Sequence, residues 1–494
     1  MQQKGEFHMT NRRLSKLYVG IISTLLGLSE PTAAVVSDRQ YEALIQRIRV
    51  LEQKVSSRQA PLEKSEQQPD GELKQRVQSL EKQLETTHQE WVEKERIRPK
   101  IVAGEEGFAI QSSDGDFQLK LRGYIQADSR FFTDDSRASD EFVLRRVRLN
   151  LDGRLFKYVD FRLAPDFGGS DPRIFDAFLD LHYFPEASLT AGKFKPPLSL
   201  ERLQSATALL FAERSFPDQL TPRREIGLML HGHFAAPGNT LSYSRGPLAK
   251  AFFNYHLGVF NGEGDRGGFN EGDSDDNKEI IARLFAHPFR ASGIGPLKGL
   301  GIGIAGSYAN PSNLSINNLR TPGQATLLRY DDDVTSVGTH YRIYPQAYWY
   351  WGPFGAMAEW VLSSQRLKNA VGNEDRQQNR AWQLALSYVL TGEEASYGRV
   401  KPSHYFDPFN GEWGAFQLAA RYSELHIDDD TFPAFADVSR SASKAQSWAL
   451  GINWYLNNNV KIMADYEQTN FDDGAPTGDR QKERVFISRF QIAF

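Results

Sequence analysis

Between residues 142 and 167 the chain reads FVLRRVRLNLDGRLFKYVDFRLAPDF, and its side chains alternate with a period of two. Val143, Val147, Leu149 and Leu151 fall on one face of an extended strand, and Arg146, Arg148, Asn150 and Asp152 on the other. A break at Asp152, Gly153 and Arg154 separates this strand from a second, in which Val159, Phe161 and Leu163 alternate with Asp160, Arg162 and Asp166. The pattern predicts a hairpin with one oily face and one face that carries arginine. Two placements satisfy it: a soluble core under the oily face with the charges in water, or lipid against the oily face with the charges lining a lumen.

The same grammar runs from residue 101 to 494. Alternating segments such as 175–184 (FDAFLDLHYF), 189–194, 225–234 (EIGLMLHGHF), 416–423 and 448–456 are separated by clusters of Gly, Asp, Asn and Pro. Asn457 to Asn459 predict a tight turn into VKIMADYEQ, with Val460, Ile462, Ala464 and Tyr466 outward and Lys461, Asp465 and Glu467 inward. Short turns alternate with long Gly- and Asp-rich connections at 261–278, 310–333 and 428–444. Short turns on one side and long loops on the other are expected of an outer-membrane barrel, and a region of this length holds roughly 16 strands. A soluble protein of many sandwich repeats uses similar alternation. The end of the chain tips the balance. RVFISRFQIAF (484–494) puts Phe486, Phe490, Ile492 and the terminal Phe494 on one strand face. This ending resembles the signal that the barrel-assembly machinery of bacterial outer membranes recognises, which makes that machinery an expected partner through Phe494.

Before residue 101 the pattern is helical. Leu44, Ile48, Leu51 and Val55 are spaced four, three and four; Leu73, Val77, Leu80 and Leu84 repeat the spacing, with Trp91 seven further on. These are a and d positions of two short heptad segments, interrupted by Pro61, Pro69 and Gly71. So narrow a stripe suits a coiled-coil seam between two or three copies better than a helix packed on its own barrel. Further upstream, Asn11, Arg12, Arg13 and Lys16 precede the apolar run 17–28 and the small residues Thr32, Ala33 and Ala34. That order is a secretory signal peptide. Cleavage is expected near Ala34, and Met9 is a plausible start; as a membrane anchor the run is too short. The expected domains are therefore a signal peptide (1–34), a periplasmic coiled-coil stalk with a Pro/Gly break (35–100) and an all-β transmembrane barrel of about 16 antiparallel strands (101–494).

Composition removes several alternatives. The 494 residues include no cysteine, which excludes disulfides and thiol chemistry. A formal net charge of -4 argues against nucleic acid as a partner. After residue 30 there is no apolar run long enough for a membrane helix, which leaves barrel strands untouched. The chain holds neither H-E-x-x-H nor G-x-S-x-G, so no enzyme and no cofactor is expected. The acidic stretch 263–276 lacks the EF-hand spacing and reads as a solvated outer loop near lipopolysaccharide. His231 and His233 share a strand face without an identifiable third ligand, so no metal is expected, and Trp349, Tyr350 and Trp351 read as part of an interfacial aromatic girdle.

Taken in order, several stretches resemble the phosphate-selective porins O and P. RGYIQADSRFF (122–132) is similar to that family's opening strand, and 142–167 to its arginine-bearing hairpin. FDAFLDLHYFPEASLTAGKFKPPLSLE (175–201), followed by AERSF (212–216), resembles the entry into its inward-folded third loop. SYVLTGE (387–393) and GINWYLNNNVKIMADY (451–466) resemble later strands. The resemblance implies a trimeric 16-stranded channel in which inward arginines form a ladder and basic residues of the third loop bind phosphate. Arg145 and Arg146 then match the paired arginines of the ladder, with Arg148 and Arg162 on the same ion path. Arg214 matches the basic residue after the third-loop glutamate, here Glu213, and Arg202, after Glu201, stands where the family carries a lysine. One departure matters: five positions on, where a second lysine is expected, the chain has Thr207. The expectation is a passive outer-membrane channel for small hydrophilic solutes that prefers anions such as phosphate, because arginine's planar fork grips oxyanions while keeping its charge. Two alternatives stand beside it: a general or weakly cation-tolerant porin in which Arg146 and Arg148 are paired with Asp160, Asp166 or Asp176, and a structural tether working through the stalk.

Overall fold

The computed structural model describes residues 69–133, 138–169, 172–235, 251–262 and 276–494, together with positions 46, 49, 50 and 53. The signal peptide and the heptad positions Leu44, Ile48, Leu51 and Val55 lie outside the described residues. The chain divides into two units, Met1–Arg98 and Pro99–Phe494. In the first, helix α1 runs from Pro69 to Ile97. Pro69 thus opens the helix instead of interrupting it, as its fixed φ and missing N–H allow at a first turn. Val77, Leu80 and Leu84 are half-buried along it and Trp91 is exposed.

In the second unit, sixteen antiparallel strands close into a barrel. They are β1 (Gln118–Phe132), β2 (Glu141–Leu155), β3 (Val159–Asp166), β4 (Arg173–Phe184), β5 (Ala187–Phe194), β6 (Glu225–Phe234), β7 (Phe253–Phe260) and β8 (Glu279–Ala286). The circuit continues through β9 (Leu300–Ala309), β10 (Thr335–Trp351), β11 (Phe354–Lys368), β12 (Glu374–Val389), β13 (Ala415–His426), β14 (Ala442–Tyr455), β15 (Val460–Ala475) and β16 (Glu483–Ala493). Each strand pairs with its chain neighbour, and β16 closes on β1 with Ile492 opposite Ile125. A hairpin of Lys100–Gly104 and Gly107–Gln111 extends β1 at the end where the last strand finishes. Closure leaves no sheet edge, and sixteen strands leave room for an aqueous lumen. The outward faces carry a band of apolar side chains: Leu228, Leu384, Leu450 and Phe490 are 55, 41, 56 and 61% exposed. That oily surface has water only as an alternative to lipid. Among the described residues, no helix is long and apolar enough to cross a membrane.

Three sequence expectations are corrected here. The break in the arginine hairpin is not at 152–154: β2 continues to Leu155, and the turn is made by Phe156 and Lys157 in left-handed conformations, φ 50° and 67°. Gly153 lies inside the strand because the Phe161 ring covers it, leaving only 2.0 Å for a Cβ. Second, the pairing of β1 with β2 slips between Gln126 and Ala127, which inserts one extra residue at Arg145. This bulge moves Val143 off the oily face and turns Leu144 outward, 57% exposed. Third, only Trp349 and Trp351 of the aromatic cluster face outward; Tyr350 turns inward against Tyr348. Nor are the connections at the terminal end uniformly short. Residues 390–414 fold back over that mouth, where Asn458 Nδ2 donates to Glu105 Oε2 at 2.6 Å and the Tyr405 hydroxyl donates to the same carboxylate. Of the acidic stretch 263–276, only position 276 is described.

Candidate constriction of the lumen

The connection between β5 and β6, 195–224, does not stay outside the wall. Pro196 and Pro197 withhold two N–H groups, and Ser199 then caps a single turn of helix, α2 (Leu200–Leu203), by accepting from Arg202 N–H at 3.1 Å. A backbone folded into a lumen needs partners for its polar groups, and the barrel wall supplies them. Glu359 Oε2 accepts the Leu200 N–H at 2.9 Å, and Asp465 Oδ2 that of Ala212 at 2.7 Å. Gln126, Gln491, Lys461, Asn453, Arg489 and Arg421 donate to the carbonyls of Ala206, Thr207, Leu209, Leu210, Ala212 and Glu213. The loop is stitched to β1 and β13–β16 almost residue by residue.

The loop divides the lumen into two cavities. The one away from Phe494 holds about 820 Å³ and is lined by twelve Arg and Lys side chains against six carboxylates. The other, about 650 Å³, opens toward the terminal end. Arg148, Lys195, Ala206 and Arg224 line both, so the two cavities adjoin at these four residues, which make the candidate passage. Arg148 is held by Asp166, Nε to Oδ2 3.1 Å, with its guanidinium 3.9 Å over the Phe175 ring; Arg224 meets Asp176 at 3.2 Å. Lys195 has carbonyl partners instead, Gln204 O at 2.9 Å and Leu203 O at 3.3 Å. Burial, reinforced by Arg224 and Arg214, holds its ammonium well below the usual lysine value.

The expected site residues are distributed around this passage. The bulge brings both Arg145 and Arg146 inside: Arg145 Nη2 reaches Glu213 Oε2 at 3.1 Å, and Arg146 Nη1 donates to Gln126 at 2.7 Å with Glu213 3.7 Å away. Burial alone would raise the Glu213 carboxyl, but Arg145, Arg146 and Arg489 overrule it and hold it well below the usual range. Arg202 is tied to Asp218 at 2.7 Å. Arg214 donates to the carbonyls of Glu201 and Gln204, which makes it a brace of the loop. Arg162 lies in the terminal-end cavity beside Arg122, both on Asp152. Thr207 lines the same cavity, its hydroxyl bonded to Ser205. His231 and His233 do share the lumen face of β6, with His231 Nε2 2.8 Å from Asp180; no metal-binding group occurs among the described residues.

Sequence reasoning passed over Lys195, Arg224, Arg130 and Arg489. Arg130 was within reach, since it shares the face of Gln126 and Asp128 by strand period. Lys195 and Arg224 sit at the two ends of the folded-in loop, where periodicity stops, and nothing local says that the chain turns inward.

Comparison with known proteins agrees with this geometry. The curated Porin O of Pseudomonas aeruginosa is 27% identical over 424 residues, covering 80% of this chain and 92% of that protein. Among solved structures, the outer-membrane channel DcaP of Acinetobacter baumannii matches with a TM-score of 0.50 at 12% identity, over 78% of this chain and 99% of that one, a likeness of fold. The family model described as phosphate-selective porin O and P matches residues 117–494, which is the whole closed barrel from β1 onward, and the chain therefore belongs to that porin family.

Proposed function

We propose that this outer-membrane porin is a passive channel that prefers anions, phosphate among them. The observation that carries the reading is the lining of the passage: Lys195, Arg148 and Arg224 line both cavities, and among the described residues no carboxylate is bonded to Lys195. An anion leaving the larger cavity, where cations outnumber carboxylates two to one, meets this amine where the two cavities adjoin. Guanidiniums bound to single carboxylates keep free N–H donors, so anions move from one to the next without any site holding them tightly. In this reading Arg145, Arg146, Arg148, Arg162 and Arg202 line the route, Arg214 shapes it, and Thr207 weakens discrimination for phosphate. The termini face the periplasm, the chain works as a homotrimer in lipid and lipopolysaccharide, and α1 contributes to self-association.

The general-porin reading draws on the ion pairs Arg148–Asp166, Arg162–Asp152, Arg202–Asp218 and Arg224–Asp176. The reversal potential of single channels across a potassium chloride gradient separates the two. A potential of the chloride sign, with added phosphate blocking the chloride current, is expected. A near-zero or cation-signed potential means that the carboxylates neutralise the ladder.

A further inference from the structure

The terminal-end cavity is built from chemistry unlike that of the passage above it. On the side of β1 and β3, Arg122 and Arg162 share the single carboxylate Asp152, Nε to oxygen distances 2.9 and 2.7 Å, while Glu105 and Glu106 line the cavity beside Arg122. The wall formed by β6 and β7 carries no guanidinium into the cavity and presents imidazoles and an amide. His231 and His256 stack with ring centroids 6.0 Å apart, and Asp180, fixed by Thr190 at 2.7 Å, holds His231 Nε2 at 2.8 Å. Beside them on β7, Asn254 and His256 are 4 and 8% exposed, and Asn254 Nδ2 and His256 Nδ1 have no hydrogen-bond partner. These two buried polar groups both line the cavity and have no partner among the described residues, and they point to a ligand that supplies the missing bonds.

Inorganic phosphate does not account for this wall, because it needs cations around it and fills little of about 650 Å³. A volume of that size is in the range of clefts for organic solutes. We infer that the cavity between Arg122 and Arg162 on one wall and Asn254, His256 and Asp180 on the other is a subsite for small hydroxylated organic anions, of the polyol-phosphate or hydroxy-acid class. The guanidiniums take the anionic end, while the amide, imidazole and carboxylate take the hydroxyls. The inference rests on the anion-channel reading and adds a class of solute to it.

Glycerol 3-phosphate is the simplest probe, with inorganic phosphate as its control, each titrated as a blocker of chloride current through the full-length protein in planar bilayers. In wild type, glycerol 3-phosphate blocks at lower concentration than inorganic phosphate. In the double variant Asn254→Ala with His256→Phe, its half-blocking concentration rises about tenfold, as expected for two lost hydrogen bonds, while block by inorganic phosphate and chloride conductance do not change. Should the double variant fail to give a folded barrel, by heat-modifiable gel mobility, Asn254→Ser alone provides the same comparison with a smaller shift. Equal block by the two anions in wild type, or block by glycerol 3-phosphate that the variants leave unchanged, overturns the subsite and leaves the anion channel standing. A cation-signed reversal potential with no block by either anion removes both.

Discussion

Lys195 is the one amine among the charged groups common to both cavities, and an amine titrates where guanidiniums do not. Its value is pushed down, so as the pH rises it loses its charge before ordinary lysines do. The sign follows directly: each deprotonation subtracts one positive charge from the passage, so anion selectivity falls as pH rises. One unit charge at roughly 4 Å in water is worth about 1 kcal/mol, which corresponds to about fivefold in the chloride-to-potassium permeability ratio. Lys195→Gln should show the lowered ratio at every pH, and Lys195→Arg a ratio that no longer depends on pH. A wild-type ratio that stays flat with pH, alongside an unaltered Lys195→Gln, would remove Lys195 from the ion path. Arg489 tests structure instead. It is fully buried, bonded to Asp128 through Nε and Nη2 at 2.6 Å each, and to the loop at Ala212 O. Arg489→Met strands the Asp128 carboxylate at a cost of about 3–5 kcal/mol, read as a lower barrel-unfolding temperature; adding Asp128→Leu restores most of it.

At the scale of elements, the bulge in β2 is what makes two adjacent arginines usable. In a regular strand Arg145 and Arg146 point to opposite faces, and one guanidinium enters lipid at about 2–4 kcal/mol. With the extra residue, both reach Glu213 on the folded-in loop. Deleting Arg145 should therefore straighten the strand without scrambling it: Leu144 stays outward, Arg146 stays inward, and the barrel folds, with reduced anion selectivity. Failure to fold would show that the strand register is not the one described. The loop itself is an element with almost no regular structure, positioned by donors and acceptors on the opposite wall. Glu359 accepts at the start of α2, and Arg421 joins Glu201 to Glu467 behind it. The Tyr397 hydroxyl, carried in from the connection 390–414, donates to the Leu200 carbonyl at 2.5 Å.

For the whole molecule, the two units divide the alternatives. The proposed conduction needs only the barrel unit, whereas the tether alternative needs the segment before it. Removal of residues 38–98 should leave single-channel conductance and its ion preference intact while weakening any self-association that α1 provides, as seen on native gels and by cross-linking. Loss of envelope integrity with unchanged conductance would instead give the tether reading its support, and a barrel that no longer conducts would contradict the channel. The oily exterior, with two aromatic zones on it, fixes how the barrel sits in its bilayer. Trp382, Tyr422, Trp448 and Tyr466 neighbour one another across β12–β15, and Trp351, Phe354, Tyr388 and Trp454 lie nearer the terminal end.

What the amino-acid sequence determined alone is what a local period can encode. Alternation along strands such as 460–467 assigned each side chain to lipid or lumen, because neighbouring residues in an extended chain must point to opposite faces. The strand count followed from the length of the alternating region, and the family from the resemblance of particular stretches such as 142–167 and 451–466. The tertiary structure decided whatever depends on partners distant along the chain. Gly153 looked like a turn residue until Phe161 was placed over it, and Val143 looked oily until a bulge shifted its face. The inward path of 195–224 is set by Glu359, Asp465, Lys461 and Arg489, which lie more than a hundred residues beyond it. Candidate arginines were legible as residues with a face. Which of them shares a carboxylate, braces a backbone or stands in the passage was not, since a pair such as Arg148 with Asp166 or Arg489 with Asp128 exists only once the barrel has closed.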